Sequence, residues 1–227
     1  LWPNLIRLAH RGGIPVILIN GRISDHSYSG YSKLRVFTRP LLAQVDLLCA
    51  QSEDDRQKLA NLGADPSRLH VVGSAKYDMT ADNGDGEEKA RAALQAAGIA
   101  PDRLILLGGS TWAGEEEALL DVYKELRATI KELVLVLVPR HAERRDKVLS
   151  AIADRWLSLV RRTEVKPGAS AAPDVLLVDT TGELRSFYAC ADVIFVGKSL
   201  CEHGGQNIIE PALCGKPIIV GPTMANL

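Results

Sequence analysis

Aromatic residues are scarce, at 5% of 227, which argues against a stacking platform for single-stranded nucleic acid. Excess charge is also missing. The net charge of −1 makes no case for nucleic acid as a partner, nor for a generally basic, membrane-seeking surface. No uninterrupted apolar run reaches spanning length and no signal peptide opens the chain. No Asp-x-Asp triplet occurs, so a divalent metal bridging a diphosphate has no obvious ligands. The four cysteines, Cys49, Cys190, Cys201 and Cys214, form no C-x-x-C. Their spacing fits no common zinc pattern, and Cys49 and Cys190 read as reduced core residues of a cytosolic protein. There is no internal repeat. The chain starts without methionine and stops soon after a strand, so both ends are expected to continue in a longer protein.

What remains is a soluble globular composition, 46% hydrophobic and 24% charged, ample for a buried core. A helical pattern runs from Trp2 to Arg11, with Leu5, Leu8 and Ala9 on one side and Gly12 as its stop. Pro15 to Asn20 (PVILIN) reads as a buried strand. Arg22 follows at its carboxyl end, where open α/β sheets bind ligands; it is a candidate anion contact or a solvated loop arginine. Tyr31 to Ala43 reads as mainly helical and basic, broken at Pro40. A lipid-facing surface and an ordinary solvated face both fit that basic pattern. Val45 to Ala50 is a strand, Ser52 caps a helix from Glu53 to Leu62, and Leu69 to Gly73 is a strand with Lys76 at its exit. The polar, acidic stretch Thr80 to Glu88 reads as a linker. This divides the chain at residues 1–80 and 81–227.

The alternation then restarts: a helix over Glu88–Ala97, a strand over Arg103–Gly109, and a helix over Gly114–Lys131 whose Glu115, Glu116 and Glu117 suit a helix N-terminus. A central strand, Leu133–Val138, ends in Pro139, Arg140 and His141, ahead of a helix over Ala142–Arg155. Pro167–Pro173 is a surface loop and Val175–Val178 a strand. Thr180 and Glu183 have capping-box spacing. Alternating strands and helices argue for parallel sheets.

The stretch Val196 to Pro222 reads as strand exit, glycine-rich loop, short helix and strand. Gly204 and Gly205 permit a tight turn beside a ligand, Asn207 is a plausible cap, and Glu210 lies one turn further on the same face. A loop at a helix N-terminus suits an anion, and a carboxylate one turn in suits the paired hydroxyls of a ribose. An ordinary βαβ turn fits the same residues. Parallel strands bring Ser110, Thr111, Arg140, the Gly182 loop and this stretch to one sheet edge, with Lys76 across from them. Without metal ligands, cationic side chains and a helix N-terminus would have to stabilise a leaving phosphate.

These pieces resemble the 3-deoxy-D-manno-octulosonic acid (Kdo) transferases. The matching segments, in order, are Leu1–Asn4 (LWPN), Asn20–Ser24 (NGRIS), Gly73–Lys76 (GSAK), Gly109–Thr111 (GST) with Gly114–Glu116 (GEE), Pro139–His141 (PRH), Gly182–Leu184 (GEL), and Gly204–Asn207 (GGQN) with Glu210–Pro211. The resemblance implies an α/β protein of GT-B type with two Rossmann-like domains, an acceptor-side domain over 1–80 and a donor-binding domain over 81–227. It implies inverting, metal-independent transfer of Kdo from CMP-Kdo to a lipid A precursor, with no cofactor, at the cytoplasmic face of the bacterial inner membrane. By motif, Pro139, Arg140, Gly182, Glu183, Leu184, Asn207, Ile208, Ile209 and Glu210 correspond to the CMP site. Lys76 and Ser110 are further donor contacts, and Arg22 belongs to the active-site cleft. The family's general base, a glutamate, and its membrane-docking segment are expected upstream of Leu1, so the chain alone is expected to be inactive. Two positions depart from the family pattern: Trp112 stands where histidine is frequent, and Lys198 where a second glycine is common. A GT-B enzyme using a UDP-sugar and a non-catalytic nucleotide-binding paralogue are the alternatives.

Overall fold

The structure is a computed structural model and describes residues 2–74, 85–166, 172–202 and 204–224. Lys76 and the segment 80–84 lie outside the described residues, as does most of the Pro167–Pro173 loop. The chain forms two compact units, Leu1–Met79 and Thr80–Leu227.

The first unit carries α1 (Pro3–Arg11), β1 (Ile17–Gly21), α2 (Asp25–Lys33), α3 (Arg35–Leu42), β2 (Leu47–Ala50), α4 (Glu53–Asn61) and β3 (Leu69–Val71). Its sheet is parallel, in the order β1-β2-β3. Leu48 and Ala50 of the central strand are fully buried, in a core with Leu42, Val45, Leu59 and Leu62. Three expectations change here. In α1 it is Ile6 that is buried, while Leu5 and Leu8 are exposed. The strand expected to be buried, β1, is an edge strand, and Ile17 and Ile19 share a face left 57% and 73% exposed. The helical stretch begins earlier, at Asp25, because Ser24 Oγ accepts the Ser27 N–H. It breaks at Leu34, and Pro40 lies inside α3. A proline there forfeits one ladder bond, and this eight-residue helix continues to Leu42 without it.

Ser52 caps α4 as expected. Its Oγ accepts the Asp55 N–H at 3.1 Å and donates to Asp55 Oδ2. The other Asp55 oxygen accepts the Ile23 N–H at 2.8 Å, so one cap ties α4 to the β1 exit that carries Arg22. Ser52→Ala is expected to cost about 1 kcal/mol, measured as a lower urea midpoint.

The second unit holds α5 (Asp85–Ala96), β4 (Leu104–Thr111), α6 (Glu115–Thr129), β5 (Leu133–Pro139), α7 (Arg145–Ala153), β6 (Leu159–Arg161), β7 (Val175–Leu177), α8 (Leu184–Cys190), β8 (Val193–Val196), α9 (Ile209–Leu213) and β9 (Ile218–Ile219). The short strand β6 was not expected from sequence. The sheet is fully parallel, in the order β6-β7-β5-β4-β8-β9. Its central strands are apolar on both faces, as helices on both sides require. Ile105, Leu107, Val134 and Val136 pack under α5 and α8. Leu106, Leu133, Leu135 and Leu137 pack under α6 and α7. β4 is the pivot: α6 leads from it to β5 on one side, and β8 lies on the other. Ligands bind at the carboxyl ends of strands at such a point. None of the cysteines is fully buried; Cys49, Cys190 and Cys214 are half-buried and Cys201 is exposed. Cys190, expected in the core, sits at the end of α8, its Sγ 3.6 Å from the Ser186 carbonyl. Among the described residues no helix is long and apolar enough to cross a membrane.

Candidate functional site

Two glycines let the strand exits of the second unit close together. A side chain at Gly109 would meet the Tyr188 hydroxyl at 2.6 Å, and one at Gly197 would meet the Ser110 carbonyl oxygen at 2.2 Å. Beside them, Ser110 and Lys198 adopt φ values of 52° and 61°, a region that costs L-residues roughly 1–2 kcal/mol each. The surroundings hold them there. The Glu115 carboxylate, fully buried at the start of α6, accepts four backbone N–H groups: those of Trp112 (2.8 Å), Lys198 (2.9 Å), Ser199 (3.0 Å) and Leu200 (3.0 Å). Ser199 Oγ donates to the Val196 carbonyl and accepts the Gly221 N–H.

The neighbouring acids have separate tasks. Glu117 accepts the Gly114 N–H. Glu116, also fully buried, takes Arg144 at 2.8 Å and the Thr111 hydroxyl at 3.0 Å. Burial pushes its carboxyl up, against the lowering pull of its own backbone, of Arg144 and of Thr111. The three glutamates that read as a favourable helix start thus form the internal frame of the site. Three acids in one first turn, more than a helix dipole requires, and the family-like Gly114–Glu116 segment were the sequence signals.

On this frame a cavity of ≈ 150 Å³ opens at the ends of β5 and β7. Ser110, Pro139, Arg140, Gly182 and Leu184, all named from sequence, line it together with Arg145 and Asp179, which were not singled out. The Arg140 N–H donates to the Thr111 carbonyl at 3.0 Å, fixing the β5 exit beside β4. The guanidinium is exposed and makes no ion pair among the described residues. Arg145, by contrast, lies 4.0 Å from Asp179. Among the described residues this leaves Arg140 unneutralised at the mouth of a concave site.

Glu183 is not among the lining residues. Its carboxylate accepts from Arg162 at 3.0 Å and from the Thr180 hydroxyl. The expected capping box is absent, because Thr180 bonds the carboxylate and not the backbone. Asn207, Ile208, Ile209 and Glu210 stand at the start of α9, outside the cavity wall. Asn207 Oδ1 accepts the Ile209 N–H at 3.0 Å, and Ile208 packs on the core. Glu210 is half-buried. Burial pushes the Tyr188 hydroxyl up, and the charge of Glu210 adds to that. Arg22 lines a different cavity, of ≈ 400 Å³, in the first unit, with Asn20, Ser24 and Tyr31. Among the described residues no group of three or more acidic, histidine or cysteine side chains could hold a metal.

Residues 1–79 match the family model of 3-deoxy-D-manno-octulosonic-acid transferase (kdotransferase). Over its whole length the chain is 35% identical to a bifunctional glycosyltransferase/methyltransferase of Fusobacterium nucleatum, covering 35% of that protein. It is 34% identical to the 3-deoxy-D-manno-octulosonic acid transferase of Haemophilus influenzae, covering 52% of it. The chain thus spans about half the length, or less, of these curated relatives. Among solved structures, the C-terminal CMP-Kdo binding domain of WaaA from Acinetobacter baumannii matches at TM-score 0.56 and 34% identity, over 62% of this chain and 72% of that one. The UDP-GlcNAc 2-epimerase of Neisseria meningitidis shares the fold, at TM-score 0.54 and 16% identity over 95% of this chain and 54% of that one. The parallel α/β architecture is of the GT-B type read from the sequence. With motifs in order along the whole length, a matching family model and relatives at a third identity, the chain belongs to the 3-deoxy-D-manno-octulosonic acid (Kdo) transferase family.

Proposed function

We propose that the protein serves the transfer of Kdo from CMP-Kdo to a lipid A precursor, at the cytoplasmic face of the inner membrane, and that its second unit binds the donor. The observation that carries this reading is the cavity at the β5 and β7 exits, with Arg140, which forms no ion pair among the described residues, at its mouth. In the reaction an acceptor hydroxyl attacks the anomeric carbon from the face opposite the leaving group. The bond from that carbon to the phosphate oxygen breaks, and CMP departs with the electron pair. The acceptor proton passes to a glutamate that the family resemblance puts upstream of Leu1. Arg140 opposes the charge that grows on the departing phosphate, the task that a metal performs in other transferases. The Gly182 loop offers backbone groups to the base, and Glu210 offers its carboxylate to the ribose.

The Kdo transferase of Haemophilus influenzae and the CMP-Kdo binding domain of the Acinetobacter protein, as similar proteins, support this assignment. Calorimetric titration of the chain in EDTA tests it. CMP is expected to bind and UDP to bind far more weakly. Arg140→Ala is expected to weaken CMP by about 10- to 100-fold, the worth of one charge-assisted hydrogen bond. Preference for UDP would move the protein to UDP-sugar chemistry. Binding of neither by a chain with an intact far-UV spectrum would remove the nucleotide role of the cavity.

A further inference from the structure

The two positions that depart from the family pattern, Trp112 and Lys198, touch each other. They leave the ends of adjacent strands, β4 and β8. Lys198 Nζ lies 5.2 Å from the centroid of the Trp112 ring. The His141 ring also meets Trp112, edge to face, with centroids 4.8 Å apart. His141 lines the cavity, so the three side chains form one row from the cavity mouth across β4 to β8.

Two features of this row ask for a partner from outside. The Trp112 Nε1–H is buried and has no acceptor among the described residues, an arrangement that proteins avoid unless something else meets it. The Lys198 ammonium is half-buried over an aromatic face and forms no ion pair among the described residues. A ring quadrupole attracts a cation without cancelling its charge. Lys198 also keeps a side chain at a φ of 61°, where glycine sits without strain. A strained residue in a site points to a task.

We propose that Lys198, steadied by Trp112, takes the carboxylate of the donor's sugar acid. This rests on the nucleotide reading of the cavity and adds the means by which an acidic sugar is chosen. A CMP-linked sugar acid carries two separate anions, one phosphate and one carboxylate. Among the described residues, neither Arg140 beyond β5 nor Lys198 beyond β8 is paired with an acid, and β4 lies between them.

Calorimetric titration of the full chain with CMP and with freshly prepared CMP-Kdo tests the assignment. Wild type is expected to bind CMP-Kdo at least about tenfold more tightly than CMP, the worth of a charge-assisted contact. Lys198→Gly, which suits the backbone at this position, should bring the two ligands to within about twofold and leave CMP itself unchanged within that margin. Lys198→Arg should restore most of the difference. If Lys198→Gly keeps the wild-type preference, or if wild type shows none, the carboxylate site is overturned. If Lys198→Gly weakens CMP as much as CMP-Kdo, Lys198 serves the phosphate; the inference then falls and the nucleotide reading stands. If wild type binds neither ligand, both fall together.

Discussion

Glu115→Gln is expected to lower the stability of the protein by about 2–6 kcal/mol, because two buried N–H donors lose their acceptor at about 1–3 kcal/mol each. The carboxylate has four lone-pair sites and uses them on four N–H groups, from Trp112 on one strand exit and Lys198, Ser199 and Leu200 on another. Glutamine keeps one acceptor oxygen. Its amide nitrogen would present hydrogens to N–H groups that need acceptors. Because Glu115 is fully buried, water cannot replace the lost bonds. Glu115→Asp is too short to span both exits and should recover little. Urea denaturation followed by circular dichroism reads the effect. The same clamp holds the loop that carries Lys198, so any folded Glu115→Gln protein should also lose discrimination between CMP-Kdo and CMP. A midpoint equal to wild type would show that the loop holds its shape without the carboxylate.

Gly197→Ala is the second large effect, and its cause is space. The added Cβ would lie 2.2 Å from the Ser110 carbonyl oxygen, 2.7 Å from the Ser110 carbonyl carbon and 2.7 Å from Thr111 Cα. All three are backbone atoms at the exit of the central strand, which a rotamer change cannot move. Over-packing of this kind costs about 3 kcal/mol or more, and the variant should be recovered largely unfolded. Gly182→Ala is the contrast. Among the described residues nothing lies within 4 Å of its Cβ, and the cost is that of its φ of 87°, about 1–2 kcal/mol. Equal stability of the two variants by thermal denaturation would mean that the β4 and β8 exits can separate freely.

Much of this arrangement was legible in the sequence. The apolar runs that became β4, β5 and β8 needed only their own residues to be recognised, since a strand buried on both faces must be apolar throughout. The caps were equally local: Ser52 bonds a backbone three residues away. Because parallel strands point the same way, Ser110, Arg140 and Gly182 could be brought to one edge before any coordinates, and they line one cavity. Burial was less legible. Ile17 and Ile19 look like core residues, yet they are exposed, because exposure depends on what lies beside β1 and not on β1 itself.

What the sequence by itself determined was the list of groups at the sheet edge and the order in which the strands deliver them. Which of those groups are free to meet a ligand was decided only by the tertiary structure. Glu183 read as a cap or a nucleotide contact and Glu115 as a favourable helix start, yet both carboxylates are used elsewhere. One is taken by Arg162, 21 residues away, and the other by a loop 83 to 85 residues away. Arg140 and Lys198 are left without such partners among the described residues. The physical reason is that a charge is neutralised by whatever lies within a few ångströms of it. At this sheet edge those neighbours come from strands far apart in the chain, so only the fold determines which charges remain.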